Sequence, residues 1–275
     1  MSLASKIEIV QKTDTGLRRD HNEDSVGVEK AIGLAVLADG MGGHNSGEIA
    51  SAMAVAHVLE RFKKNYKNLD HGGLDWETGL TQETILLQST IKEANQEIYN
   101  AAQSSLSHRG MGTTVVGMLF LNNKVSIAHV GDSRAYRLRD GSFELLTEDH
   151  SLLQELVRKG FYTREEARQS DQKNVITRAL GIDPRVTIDI AEEITDVGDI
   201  YLACSDGLTD MVSDNEIHRI LQENDKDMET AADELVLAAN ENGGKDNISV
   251  ILARVVNPFP LEESFADKML GLFRS

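Results

Sequence analysis

Apolar residues recur along this chain with two different spacings, and each change of spacing marks a change of expected element. Residues 26–28 and 33–38 are apolar runs of strand length around a polar turn, which predicts a hairpin. From Ser46 the spacing lengthens. Val55, Val58, Leu59 and Phe62 recur as on one face of a helix, with Ser46 placed to cap it and Glu48 favourable in its first turn. Residues 63–79 are polar and contain glycine, so they read as a loop before a second helix marked by Leu87, Ile91, Ala94 and Ile98.

Strand spacing then returns. Residues 113–121 and 124–130 are β-branched and apolar, and Asn122-Asn123 between them tolerates the positive φ of a tight hairpin. Residues 135–139 and 143–146 repeat the device around Asp140-Gly141. Residues 151–159 look helical, and Thr163 with Glu166 forms a capping box for a short helix through Arg168. Val186, Ile188 and Ile190 alternate as one buried face of a strand does, and 200–205 is the next strand. Ser213 and Glu216 form a second capping box before a helix through Leu221. A longer helix from Met228 ends near Gly243-Gly244, and the last strand covers 248–255. Hairpins with helices in groups, rather than regular βαβ units, predict an α+β layered fold.

Composition narrows this picture. At 275 residues the chain is within reach of one large layered core, and three prolines leave no room for a long Pro-rich linker. A net charge of -17 repels a phosphate backbone, so nucleic acid is excluded as an expected partner. The single cysteine, Cys204, rules out an intramolecular disulfide and fits a reducing compartment. No basic segment followed by an apolar core opens the chain, and no apolar run approaches the ~18 residues of a membrane span. The cytoplasm is the default location, and a monomer the default state.

The chemistry concentrates in four aspartates. Asp24, Asp39, Asp206 and Asp246 each stand at the edge of an expected strand, and Asp39 and Asp206 are followed by Gly40 and Gly207. Carboxylates gathered in space repel one another, and hard divalent ions such as Mg²⁺ or Mn²⁺ resolve the repulsion by accepting carboxylate, carbonyl and water oxygens. Gly40 lets its carbonyl approach closely, so the Asp-Gly pair offers two oxygens to one site. Other phosphate chemistries fail on the residues. Asp210 stands where a cysteine phosphatase loop starting at Cys204 needs arginine, GMGG is not followed by Lys-Ser or Lys-Thr, and no G-x-S-x-G elbow exists. The histidines, including His57 and His129, match no zinc spacing.

Six segments, TDTGLRRDHNEDS (13–25), ADGMGGH (38–44), MGTT (111–114), VGDSR (130–134), CSDGLTDMVSDNEI (204–217) and GKDN (244–247), occur in an order that resembles the type 2C metal-dependent Ser/Thr protein phosphatases. The compact form resembles the bacterial branch, and the likeness covers roughly residues 7–255. It implies a four-layer αββα sandwich of two antiparallel β-sheets flanked by helices, with two Mn²⁺ or Mg²⁺ ions at one end. Matched residue by residue, Asp39 bridges the ions, Asp206 and Asp246 bind one, the Gly40 carbonyl binds the other, and Asp24 contacts the centre. Asp132 matches the acid holding a third, weaker metal. Arg19 matches the arginine that grips the substrate phosphate, a task suited to a planar, permanently charged fork. Met41 replaces the histidine of many eukaryotic relatives, which leaves His44 as a candidate proton donor beside a metal-bound water.

The implied reaction is in-line attack on phosphoserine or phosphothreonine by a water bridging the ions. The implied partners are phosphoproteins and a Ser/Thr kinase that the enzyme opposes. The different-class alternative is a catalytically silent phosphatase-like binding module, against which the intact Arg19, Asp39, Asp206 and Asp246 stand. Within a catalytic domain of residues 1–256, the insert at about 150–181 resembles the family's variable flap and is expected to carry substrate choice. Residues 257–275 form an expected tail, where Leu261, Phe265, Met269, Leu272 and Phe273 suggest a short amphipathic helix docking on its own domain.

Overall fold

The apolar runs of the central strands are nearly unbroken because both of their faces are covered. In a computed structural model, which describes residues 3–42, 46–163, 166 and 175–259, eleven strands form two sheets. One sheet has the order β1 (Ile7–Asp14), β11 (Ile248–Val255), β10 (Ile200–Cys204), β7 (Arg134–Arg139), β8 (Ser142–Leu145). The other runs β2 (Asp24–Glu29), β3 (Leu34–Met41), β5 (Val115–Leu121), β6 (Lys124–Val130), β9 (Asp189–Ile194), with the two-residue β4 (Gly112–Thr113) paired to the end of β3. Every pairing between these strands is antiparallel.

Side chains of opposite parity serve different layers. Leu34, Val36 and Ala38 of β3 pack toward α1 (Ser46–Tyr66) and α2 (Gln82–Ser104), while Ala35 and Leu37 face the other sheet. In β10, Ile200, Leu202 and Cys204 face the helices Asp214–Glu223 and Met228–Glu241, while Tyr201 and Ala203 point inward. The inter-sheet layer is closed by Phe120 and Tyr201, whose rings meet edge-on at 5.3 Å. The expected αββα sandwich is therefore present, with an apolar layer at each of its three interfaces.

Both predicted hairpin turns have the backbone their residues favour: Asn122 and Asn123 at φ 51 and 56, Asp140 and Gly141 at φ 48 and 78. Four expectations change. β1 was not foreseen, because in this edge strand the buried Ile7, Ile9 and Val10 fill only the first half and Gln11 to Asp14 are polar. Ser46 lies inside α1 instead of capping it, its Oγ donating to the Ser107 carbonyl at 2.8 Å. α1 also runs on to Tyr66, so the polar loop begins later than residue 63. The strand expected over Val186, Ile188 and Ile190 begins at Asp189 and carries Glu192 and Glu193. Glu192 is held by Thr81, Thr84 and Lys124.

The capping pair Thr163 and Glu166 is formed, with bonds of 2.8 and 3.2 Å between side chains and backbone N–H groups. The rest of the helix predicted through Arg168, and the tail from residue 260, lie outside the described residues. No described helix is long and apolar enough to cross a membrane.

Candidate metal centre

Antiparallel register sets the first two acids side by side. Asp24 and Asp39 are direct partners across β2 and β3, so their side chains leave the sheet on the same face. Asp39 does not end its strand at a turn, as Asp-Gly suggests; β3 continues through Met41 because Gly40 and Met41 pair with Thr113 and Gly112. Gly40 is required by crowding, since a Cβ there would lie 2.1 Å from the Gly47 carbonyl oxygen and 2.5 Å from that of Glu23.

The other sheet delivers the remaining acids to the same end. Asp206 opens the short helix Asp206–Thr209 directly after β10, and Asp246 precedes β11. The two loops touch, for a Cβ on Gly207 would meet the Asn247 carbonyl oxygen at 2.0 Å. Ser205 ties the sheets together here, its hydroxyl donating to Asp24 Oδ2 at 2.8 Å. Asp132 follows β6 and is buried, with Asp149 behind it. Asp149 is itself held by a two-pronged contact with Arg134 at 2.9 and 2.6 Å.

Electrostatics show how closely these groups converge. Burial, with the charges of Asp24, Asp206, Asp132 and Asp246, holds the Asp39 carboxyl well above the usual carboxylate range. Asp206 is raised in the same way by burial and by Asp132, Asp246 and Asp210. Burial pushes Asp24 and Asp132 up to about 6. Oδ1 of Asp24 and Oδ1 of Asp132 are buried and have no hydrogen-bond partner. Two half-satisfied carboxylates within one cluster of acids fit hard divalent cations, which supply the missing charge and the missing oxygen partner together.

Arg19 stands at the rim, about half exposed, and donates to Asp246 Oδ2 at 2.7 Å. Its loop is fastened by a residue that sequence reading passed over. Asn247 accepts the Glu23 N–H at 2.8 Å and donates to the Thr15 and His21 carbonyls, both at 2.9 Å. Thr114 was missed likewise: its hydroxyl accepts the Asp39 N–H at 3.0 Å, and its own N–H donates to the Asp39 carbonyl at 2.8 Å. Asp149 and Asp210, which add charge to the pocket, were also not singled out as ligands. The motifs GKDN and MGTT carried the signal for Asn247 and Thr114, but a polar side chain bonded to distant backbone leaves no periodic trace. His44 lies outside the described residues.

Two groups outside the pocket are inactive for plain reasons. Cys204 is fully buried and its thiol is pushed up to about 12 by burial, so it supplies no nucleophile. His129, His150 and Asp189 bring three donor atoms together, but the Arg178 guanidinium already fills that place, 2.6 Å from Asp189 Oδ1 and 3.0 Å from His150 Nε2.

A single short strand joins this pocket to the segment beyond it. Thr113 of β4 pairs with Gly40 on one side and exchanges two backbone hydrogen bonds with Leu180 on the other, at 3.1 and 2.8 Å. Gly112 is packed against Leu180 and Ile182, where a Cβ would lie 2.9 Å from a carbonyl oxygen and 2.8 Å from a methyl carbon.

An αββα sandwich with buried carboxylates gathered at one end defines the class: the chain belongs to the protein phosphatase 2C family, whose sequence pattern matches residues 16–253. Within that family it resembles bacterial members. Serine/threonine phosphatase stp of Listeria innocua is 40% identical over 245 residues, covering 88% of this chain and 93% of that protein. The crystal structure of the Mycobacterium tuberculosis serine/threonine phosphatase PstP/Ppp superposes with a TM-score of 0.81 at 34% identity, over 92% of this chain and 100% of that one. The catalytic domain of PstP in complex with two manganese ions gives a TM-score of 0.78 at 35% identity, over 92% and 99% of the two chains.

Proposed function

We propose that this protein hydrolyses phosphoserine and phosphothreonine side chains of phosphoproteins with two Mn²⁺ or Mg²⁺ ions. The observation that carries the reading is the ring of Asp24, Asp39, Asp206 and Asp246, whose mutual repulsion is met by Arg19 at the rim. Supporting it, the relatives at 40% identity are named serine/threonine phosphatases, and one such catalytic domain binds two manganese ions.

Asp39 would hold both ions, with Asp206 and Asp246 on one, the Gly40 carbonyl on the other and Asp24 beside them; Asp132 would hold a third. When bound, the ions supply positive charge and a nucleophilic water at neutral pH. The chain's own groups do the rest. Arg19 grips the phosphate and neutralises charge on its oxygens, and the Asn247 bonds keep that arginine facing the pocket. The Thr113 and Thr114 bonds hold the Asp39 backbone still, so its carboxyl does not have to be ordered during turnover.

Turnover of a phosphothreonine peptide is expected to require Mn²⁺, to stop in excess EDTA and to return when Mn²⁺ is restored. Undiminished activity in chelator would overturn the reading. In Arg19→Ala, kcat/KM should fall about 10- to 100-fold, the loss of one or two charge-assisted bonds to phosphate. Steady-state kinetics check this, and a fall of less than twofold would move the grip elsewhere. The phosphoproteins would be products of a Ser/Thr kinase in the same compartment, the cytoplasm, and the enzyme would act as a monomer. Nothing in the geometry favours a silent binding module.

A further inference from the structure

A groove of about 370 Å³ opens beside the acidic pocket, lined among others by Met41, Ile176, Arg178, Ile182, Asp183 and Arg185. Its position is fixed by β3: Met41 follows Asp39 by two residues on an extended strand, so the groove starts about 7 Å from the metal pocket. An extended peptide covers that distance in two residues. Side chains about two to four positions from a phosphoresidue would therefore enter the groove.

The lining is mixed in a way that suits a peptide. Ile182 is half exposed and Ile176 partly so, giving apolar contact. Arg178 is held through one nitrogen only: Nη1 donates to Asp189 Oδ1 at 2.6 Å and to the Thr187 carbonyl at 3.2 Å. Its Nε and Nη2 donors have no partner among the described residues, so an oriented guanidinium edge remains for a ligand. Arg185 is exposed and makes no ion pair or hydrogen bond among the described residues. Asp189 neutralises Arg178 in part, so in a chain of net charge -17 the exposed Arg185 is the cation of this lining with no ion pair among the described residues. Asp183 is the one acid in the lining and opposes it.

We propose that this groove receives the substrate polypeptide beside its phosphoresidue and selects for an acidic side chain there, with Arg185 and the free edge of Arg178 as its contacts. The proposal rests on the phosphatase reading and adds a substrate preference to it. The described part of the chain ends away from this groove. Phe259 is anchored through its N–H to Asn123 in the β5–β6 turn, at the opposite end of β6 from Val130 and the pocket.

Two phosphothreonine peptides that differ only by Glu or Gln at the second to fourth positions on each side of the phosphoresidue test this. For the wild-type protein with Mn²⁺, kcat/KM should favour the Glu peptide about fivefold, the scale of exposed guanidinium–carboxylate pairs. Arg185→Glu should abolish or reverse the ratio, and Asp183→Asn should raise it. Those opposite signs cannot both come from misfolding. A wild-type ratio near one, or a ratio unchanged in Arg185→Glu, overturns the proposal. Phosphonate versions of the two peptides, which cannot turn over, report the same preference by fluorescence anisotropy. Equal binding of the pair overturns the groove, whereas preferential binding without turnover of either phosphopeptide or an aryl phosphate overturns the phosphatase reading alone.

Discussion

Asp39→Asn is expected to abolish Mn²⁺-dependent phosphopeptide turnover, by about 10³-fold or more, and at the same time to stabilise the metal-free protein. Both effects come from one cause. Asp39 stands among Asp24, Asp206, Asp132 and Asp246, whose charges all raise its pKa, so without cations its ionised form is held against repulsion. An amide of the same shape removes that repulsion and removes the bridging ligand. In chelator the melting temperature of the variant should exceed wild type by about 2–4 °C, which for a chain of this size is about 1 kcal/mol. With saturating Mn²⁺ the order should reverse, since only wild type gains the full binding free energy.

The pH dependence follows with a definite sign. Asp24 and Asp132 are raised from 3.8 to about 6, so the native state binds more protons than the unfolded chain between those values. Their contribution to stability is complete below pH 3.8 and is lost as pH rises through about 6. In chelator, wild type should lose stability as pH rises from 3.8 to about 6, and Asp39→Asn should lose less. Parallel melting curves for the two proteins across that range would sink the repulsion account.

Asn247→Ala is the second large effect, and it acts on the frame instead of the ligands. One buried side chain accepts from Glu23 and donates to Thr15 and His21, spanning the loop that carries Arg19. Removing it leaves one N–H and two carbonyls without their partners, a cost of about 3–4 kcal/mol, or about 8–12 °C in melting temperature. Because Arg19 loses its anchor, kcat/KM should also fall about tenfold, most of it in KM. Asn247→Asp separates the causes: it keeps the acceptor, loses both donors and adds a carboxylate, so its deficit should shrink on adding Mn²⁺. A variant melting within 2 °C of wild type would show that the loop is held elsewhere.

These two residues also mark what could be seen in the sequence. Asp39 was legible because an acid at the end of an apolar run breaks a local pattern, and the apolar runs, hairpin turns and capping boxes gave the layers by the same local logic. Asn247 was not legible, since its partners lie 224 to 232 positions away in sequence. β1 was lost for a related reason, as its pairing with β11 joins the two ends of the chain and its exposed edge dilutes the apolar signal. The displaced β9 shows the limit of alternation. Val186, Ile188 and Ile190 do pack against the helix-side core, but Val186 and Ile188 do so from backbone that leads into the strand.

The two-residue strand Gly112–Thr113 has a consequence for exchanging parts between relatives. It is stitched to Gly40 on one side and to Leu180 on the other, with no space at Gly112 for even a methyl group. A chimera that imports residues 150–181 from a homologue therefore imports half of a joint whose other half stays behind. Grafts that carry residues 111–114 along with the insert should keep the parent's turnover number while taking the donor's peptide preference, whereas grafts that break at 150 and 181 should lose both. Were the insert to set peptide choice, specificity would be inherited as two distant segments, and the unit to exchange would be larger than the insert alone.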